Sequence, residues 1–427
     1  MTLAPASVRI TSVMNKDSTN GIKVAAPGDC ISGKGATAAA GFSASGVSCG
    51  VRKSGVLDLA VLFSEVPCVV AGAFTQNAFR GAPLGVTEGA VEGGALRAVV
   101  VNSGNANAAT GAAGVEDARR MQEVAADALG VAASTVAVAS TGVIGERLPM
   151  SNIEDGIMDA AATLGNRDDG LAEAILTTDT RPKQVKKTVE VDGRTVTVGG
   201  TAKGSGMIHP NMGTMLAFLT TDAEVEKEYL QRTFSRAVER SFNRVTVDGD
   251  TSPSDMALLL ANGVAGNGVL DGNHPDRAAF AEAVEEVCRG LAKMIARDGE
   301  GATKLITVNV SGAGDEASAS ALAKSVVGSS LVKAAVFGED ANWGRALNAL
   351  GYSGAEFDVS GASISFGEIE VFKNGEPVPH DPGKANAQLS GEEVVITVTL
   401  REGEAQATAW GCDLTYGYVE INGSYRT

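Results

Sequence analysis

From about Gly41 onward, short apolar runs of β type take turns with segments of helical period, the pattern of an α/β chain. Ala98 to Asn102 predicts a buried strand, followed by the small-residue loop Ser103-Gly104-Asn105-Ala106-Asn107. Glu116 to Leu129 places Ala118, Met121, Ala125 and Leu129 at helical spacing, with Gly130 as a stop signal. Val136 to Ala139 predicts the next strand, which runs into the turn Ser140-Thr141-Gly142. Asp192-Gly193 predicts a hairpin joining Thr188 to Val191 with Thr195 to Val198. Beyond it, Thr214 to Leu219 predicts a strand, and Glu224 to Phe242 an amphipathic helix with Leu230, Phe234 and Val238 on one face. A long helix is predicted over Asp276 to Arg297, striped by Phe280, Val284, Val287, Leu291, Met294 and Ile295. Gly299-Glu300-Gly301 and a strand over Leu305 to Val310 follow. Val332 to Phe337 predicts a strand and Asn342 to Leu350 a helix, and the tail from Glu356 is β-rich with a turn at Asn374-Gly375. Residues 1 to about 35 carry no sustained period, so a loose extension or edge strand is expected there.

Composition narrows the class. Glycine accounts for 53 of 427 residues and aromatics for 4%, which implies many tight turns around an aliphatic core. The net charge of −16 argues against a binder of nucleic-acid backbone, which needs clustered excess cations. Cys30, Cys49, Cys68, Cys288 and Cys412 are odd in number and far apart, with no CxxC pair, so a reducing cytoplasm is the expected location. With only His209, His274 and His380 available, no metal and no histidine triad is expected. The longest apolar stretch, Leu57 to Phe74, is broken by Asp58, Glu65 and Pro67, and the amino terminus lacks a signal pattern; no membrane is expected.

Two general enzyme motifs fail on their context. Gly28 to Gly35 has Walker A spacing, but Gly35 stands where a hydroxyl must hold magnesium. Gly46-Val47-Ser48-Cys49-Gly50 matches GxSxG, yet Gly41 to Ser45 does not predict the apolar strand before such an elbow, nor Val51 to Gly55 the helix after it.

The segment from Lys203 to Leu216 resists a purely structural explanation. Three glycines, a proline and two methionines lead into Thr214, whose hydroxyl can attack the carbonyl of Gly213. Breaking that peptide bond would give Thr214 a free α-amine beside its hydroxyl, with a pKa of about 8, suited to general-base work. One residue would then be nucleophile and base together.

With these residues in view, the chain resembles the ornithine acetyltransferase (ArgJ) family from about Gly41 to Thr427. The marks are Asn102 to Asn107, Ser140-Thr141-Gly142-Val143-Ile144-Gly145, Lys203 to Leu216, Asp248-Gly249-Asp250-Thr251-Ser252, Gly338 to Arg345, and the ending Asn422-Gly423-Ser424-Tyr425-Arg426-Thr427. The resemblance implies a layered α/β fold of the N-terminal-nucleophile-hydrolase type, the DmpA/ornithine acetyltransferase arrangement. It implies a precursor cut between Gly213 and Thr214, after an extension of residues 1–40, into an α chain of residues 41–213 and a β chain of residues 214–427. Gly213 departs from the alanine common in the family. The chains would assemble as an α2β2 heterotetramer. Thr214 would be the nucleophile, Thr141 and Gly142 the oxyanion hole, and Thr177, Lys203, Thr214, Glu300, Asn422 and Thr427 the substrate contacts. N2-acetyl-L-ornithine and L-glutamate would be the substrates, acetyl-CoA a further possible donor, and no cofactor is expected. Pro253 and Ser254 depart from the family's commoner wording, and Asp248 and Asp250 are read as loop hydrogen-bond acceptors.

Overall fold

The computed structural model describes residues 34–52, 55–165, 170–209 and 215–424. Chain order begins with β1 (Phe42–Val47), β2 (Leu59–Phe74), α1 (Ala82–Glu92), β3 (Leu96–Asn105), α2 (Gly111–Leu129), β4 (Val136–Val143), α3 (Met150–Ala162) and α4 (Gly170–Ala174). It continues through β5 (Lys183–Val191), β6 (Arg194–Lys203), β7 (Leu216–Thr221), α5 (Lys227–Glu239), β8 (Val245–Thr246), β9 (Met256–Ala261) and α6 (Arg277–Arg297). The remainder is β10 (Leu305–Ala313), α7 (Glu316–Gly328), α8 (Ser330–Phe337), α9 (Trp343–Gly351), β11 (Ser363–Phe366), β12 (Ile369–Lys373), β13 (Glu376–Pro377), α10 (Pro382–Ala387), β14 (Glu393–Thr399), β15 (Ala405–Cys412) and α11 (Tyr416–Ser424).

These elements form two mixed sheets, which bears out the layered α/β class. The first runs β4-β3-β2-β9-β7-β6-β5 with β1 added against β2, and the second runs β13-β12-β11-β14-β10-β15-β8. The apolar stretch whose charged and proline breaks argue against a membrane span forms β2 from Leu59 onward. Its exposed Glu65, Val66 and Pro67 mark a register break in its pairing with β3, which ends at Cys68, and from Val69 on it pairs with β9. The α6 stripe of Phe280, Val284, Val287, Leu291 and Ile295 is buried against β5 and β6, and the same core takes in Trp410 and Cys412 of the second sheet. One helix therefore packs against both sheets. The cleft described below lies where they meet.

Two expectations fail. Val332 to Phe337 lies in α8, not a strand: the Ser329 side chain accepts from Val332 N–H at the helix start, and burial falls on Val332, Ala335 and Val336, a helical spacing. A short apolar run cannot declare its period, and the cap decides. Phe42–Val47 is a strand after all, paired with β2 at six positions. No helix follows it among the described residues. Instead the chain wraps around Asp58, whose carboxylate accepts the N–H groups of Cys49, Gly50 and Arg52. The elbow is therefore absent. The Walker-like stretch falls almost wholly outside the described residues.

Candidate active site

The oxyanion-hole candidates sit where β3 and β4 lose their regular parallel pairing. Thr141 and Gly142 face Ser103 and Gly104, and the register slips at Asn105. Gly142 has φ 132°, and a Cβ there would stand 2.3 Å from the Gly104 carbonyl carbon, so only glycine fits this approach. The Asn102 to Asn107 motif braces the turn. Ser140 donates to Asn102 (2.6 Å), Asn102 donates to the Asn105 carbonyl (2.9 Å), and Asn105 takes the Asn107 N–H (2.8 Å). Ala106 N–H donates to Val143 (2.9 Å). Side-chain amides do here what the sheet ladder no longer does.

Thr177 and Lys203 approach from the other side. Arg52 holds the Thr177 turn by donating to the carbonyls of Leu176 and Thr177. Lys203 ends β6, opposite Leu216 of β7, and is 5% exposed. Burial pushes its ammonium pKa down and Lys183 adds to that, while Asp179, Asp255 and Glu300 act the other way.

Glu300 follows the end of α6 and is 6% exposed. Its N–H donates to the Ser205 carbonyl (3.0 Å), and its Oε2 accepts from Asn422 Nδ2 (2.8 Å) on α11. A Cβ on Gly206 would lie 2.3 Å from that carboxylate, so the absence of a side chain at Gly206 is what lets Glu300 reach this place. Asp248 anchors the same loop by accepting from Met207 (2.6 Å) and Ile208 (2.8 Å), the acceptor role expected of it. Burial raises the Asp248 carboxyl pKa against those N–H bonds, and burial followed by Asp248 and Glu300 raises the Tyr418 hydroxyl.

A cleft of about 200 Å3 brings these groups together. Thr141, Gly142, Thr177, Lys203, Glu300 and Asn422 all line it, from positions spread over most of the chain. Gly213, Thr214 and Thr427 lie outside the described residues. Among the described residues, no histidine lines the cleft. Tyr418, Met207 and Asp250 also line it; Met207 belongs to the marked Lys203 to Leu216 segment, while no local pattern marks Tyr418. Asp255, likewise passed over, is 2% exposed, and its Oδ2 has no hydrogen-bond partner among the described residues. Burial raises its carboxyl well above the usual range, with Lys203 and the Met215 N–H acting the other way. Among the described residues, Asp192, His274 and Asp276 come close enough to share a metal ion. His274 Nδ1 accepts from Asp276 N–H (3.1 Å), which leaves the proton of a neutral ring on Nε2, 3.1 Å from Asp192.

Fold and cleft together define a mixed α/β protein with a polar pocket built from backbone turns, one lysine and several carboxylates. The ArgJ family model matches residues 43–427, and the chain belongs to the ArgJ family. It is similar to the arginine biosynthesis bifunctional protein ArgJ of Symbiobacterium thermophilum, 54% identical over 92% of this chain and 98% of that one. It is also similar to the crystal structure of ArgJ from Bacillus halodurans (48% identity, TM-score 0.48, 49% of this chain and 98% of that chain). A further similar structure is ornithine acetyltransferase complexed with ornithine from Mycobacterium tuberculosis (43% identity, TM-score 0.39, 42% and 95%).

Proposed function

We propose that the chain is a cytoplasmic acetyltransferase of arginine biosynthesis that moves an acetyl group from N2-acetyl-L-ornithine to L-glutamate. The observation that supports this most is the convergence of Thr141, Gly142, Thr177, Lys203, Glu300 and Asn422 on one cleft. Lys203 suits the carboxylate of an amino-acid substrate, and Glu300, held by Asn422, suits the side-chain ammonium of ornithine. The acetyl carbonyl then faces the Thr141-Gly142 turn, whose donors receive the developing oxyanion. The Thr214 hydroxyl attacks the acetyl carbon, its proton passes to the Thr214 α-amine, and the amine returns a proton to the departing ornithine nitrogen. The new C–O bond forms first, giving the tetrahedral oxyanion, and its collapse breaks the amide C–N bond and leaves the acetyl ester on Thr214. Glutamate enters in turn and its amine attacks the ester carbon; the C–O bond to Thr214 breaks, the proton lost by the glutamate amine passes through the Thr214 α-amine to the freed Thr214 oxygen, and N-acetylglutamate leaves.

This chemistry requires the self-cut between Gly213 and Thr214, giving α and β chains that stay together and pair into an α2β2 assembly. No cofactor is needed, and acetyl-CoA would be a second donor for glutamate. The test is purified protein supplied with acetyl-labelled N2-acetylornithine and glutamate, and separately with labelled acetyl-CoA and glutamate. Label recovered on glutamate from acetylornithine is the expected result. Label released only as free acetate would overturn it in favour of a related N-terminal-nucleophile amidase or aminopeptidase.

A further inference from the structure

Beneath the cleft floor runs a buried chain of alternating charge. Lys183, the first residue of β5, is fully buried and donates to Asp179 Oδ1 (2.7 Å), Asp298 Oδ2 (2.6 Å) and the Arg181 carbonyl (3.3 Å). Asp298 closes the end of α6. Its carboxylate also takes the Thr180 N–H (3.1 Å) and the Thr180 hydroxyl, and its carbonyl takes the Ser205 hydroxyl (2.7 Å). The Asp179 side chain, also fully buried, divides its two oxygens between scaffold and cleft. Oδ1 accepts from Lys183 and from Gly204 N–H (2.7 Å). Oδ2 accepts from Thr177 N–H (3.1 Å), stands 3.5 Å from the Thr177 hydroxyl, and lies 3.9 Å from Lys203 Nζ.

Three pieces of the cleft thus meet on one carboxylate: the Thr177 turn, the end of β6, and the loop that leads to Gly206. Burying charge is costly, and apolar residues of similar volume usually fill such space at least as stably, so packing alone gives this group no reason to be ionic. Burial works against the Asp179 charge, and Lys203 and Lys183 beside it more than offset that, holding the carboxyl well below the usual carboxylate range. A lysine side chain left alone samples many rotamers, and a substrate carboxylate would have to order it on binding.

We propose that Asp179 is the positioning residue of the cleft, holding the Lys203 ammonium and the Thr177 hydroxyl where the carboxylate of an amino-acid substrate is received. The proposal rests on the acetyltransferase reading for the identity of that substrate. Lys183 and Asp298 hold Asp179 in turn.

The test compares the unaltered chain with Asp179→Asn, which keeps the size and removes the charge. Lys203 is titrated without substrate by trace acetic anhydride labelling across pH, read by mass spectrometry of its peptide. Asp179, Lys183, Asp255 and Glu300 are the charged groups that act on this amine. Removing the nearest opposite charge is expected to lower the labelling midpoint by about one pH unit or more. KM should rise roughly tenfold for acetylornithine and for glutamate alike, since both carry the α-carboxylate, with kcat changing less. An unmoved midpoint overturns the proposal, whatever the change in Tm. A moved midpoint with unchanged KM also overturns it, because Asp179 would then act on the lysine without serving the substrate. If Asp179→Asn does not fold, Asp298→Asn makes the same measurement one link further away: a smaller shift in the same direction supports the proposal, and none overturns it. The labelling result stands without any turnover, so failure of the unaltered chain to transfer acetyl would count against the acetyltransferase reading and not against the Asp179 to Lys203 coupling.

Discussion

In the proposed acetyltransferase, Glu300 would set the sign of charge that the inner cleft accepts. It is nearly buried, its carboxylate is held by a hydrogen bond from Asn422, and it shares the cleft with Asp248 and Asp250 against Lys203, the one lysine that lines it among the described residues. A substrate with a free side-chain ammonium gains from it, and one with a side-chain carboxylate does not. A charge-assisted hydrogen bond is worth about 1.5 to 3 kcal/mol, roughly 10-fold to 150-fold in binding. Steady-state kinetics of Glu300→Gln should therefore show KM for acetylornithine rising by that factor and KM for glutamate moving far less; equal movement of both would remove Glu300 from donor recognition. Glu300 was legible in the sequence because glycines flank it on both sides. Asp179 was not. Thr177 and Lys183 lie near it in the chain, but Lys203 at the end of β6 and, through Lys183, Asp298 after α6 are brought to it only by the fold, and no local pattern links them.

At the scale of elements, the loop from Gly204 to His209 shapes the pocket by what it omits. Gly206 does not need a left-handed backbone, so alanine is tolerated by the chain itself, but its Cβ falls on the Glu300 carboxylate at 2.3 Å. Glu300 must then move and surrender the Asn422 bond. Gly206→Ala should keep the fold, with Tm near that of the unaltered protein, and raise KM for acetylornithine about tenfold or more. A variant with unchanged KM would show that Glu300 can bind its ligand from another position. Elements with a strong local signal matched expectation: the Asp192-Gly193 hairpin has both turn residues at positive φ, and the long α6 stripe is buried as its period requires. Val332 to Phe337 misled because six apolar-rich residues fit either period. Phe42 to Val47 was missed because Ser43, Ser45 and Gly46 dilute the apolar signal, while pairing along β2 supplies the stability that composition does not.

The first sheet carries the largest consequence for the whole molecule. Its central strands β9 and β7 come after residue 213, yet they lie between β2 on one side and β6 and β5 on the other, all from before it. β2 pairs with β9 at six positions, and β6 with β7 at six more. A cut between Gly213 and Thr214 therefore leaves two interleaved pieces that share one sheet and one core, and separating them would mean unfolding both. Such interleaving has no trace in local sequence, because it is a property of strand order. It explains how a chain opened in the middle can keep Thr141 from one piece and Glu300 from the other on the same cleft. Whether Thr214 is freed by this cut and then carries the acetyl group is read from intact mass under denaturing conditions. Purified protein is incubated with acetylornithine and no glutamate. Two co-purifying chains of 213 and 214 residues are expected, the second heavier by one acetyl group that glutamate then removes. An unbroken chain of 427 residues with full transferase activity, or a second chain that never gains the acetyl group, would contradict this expectation.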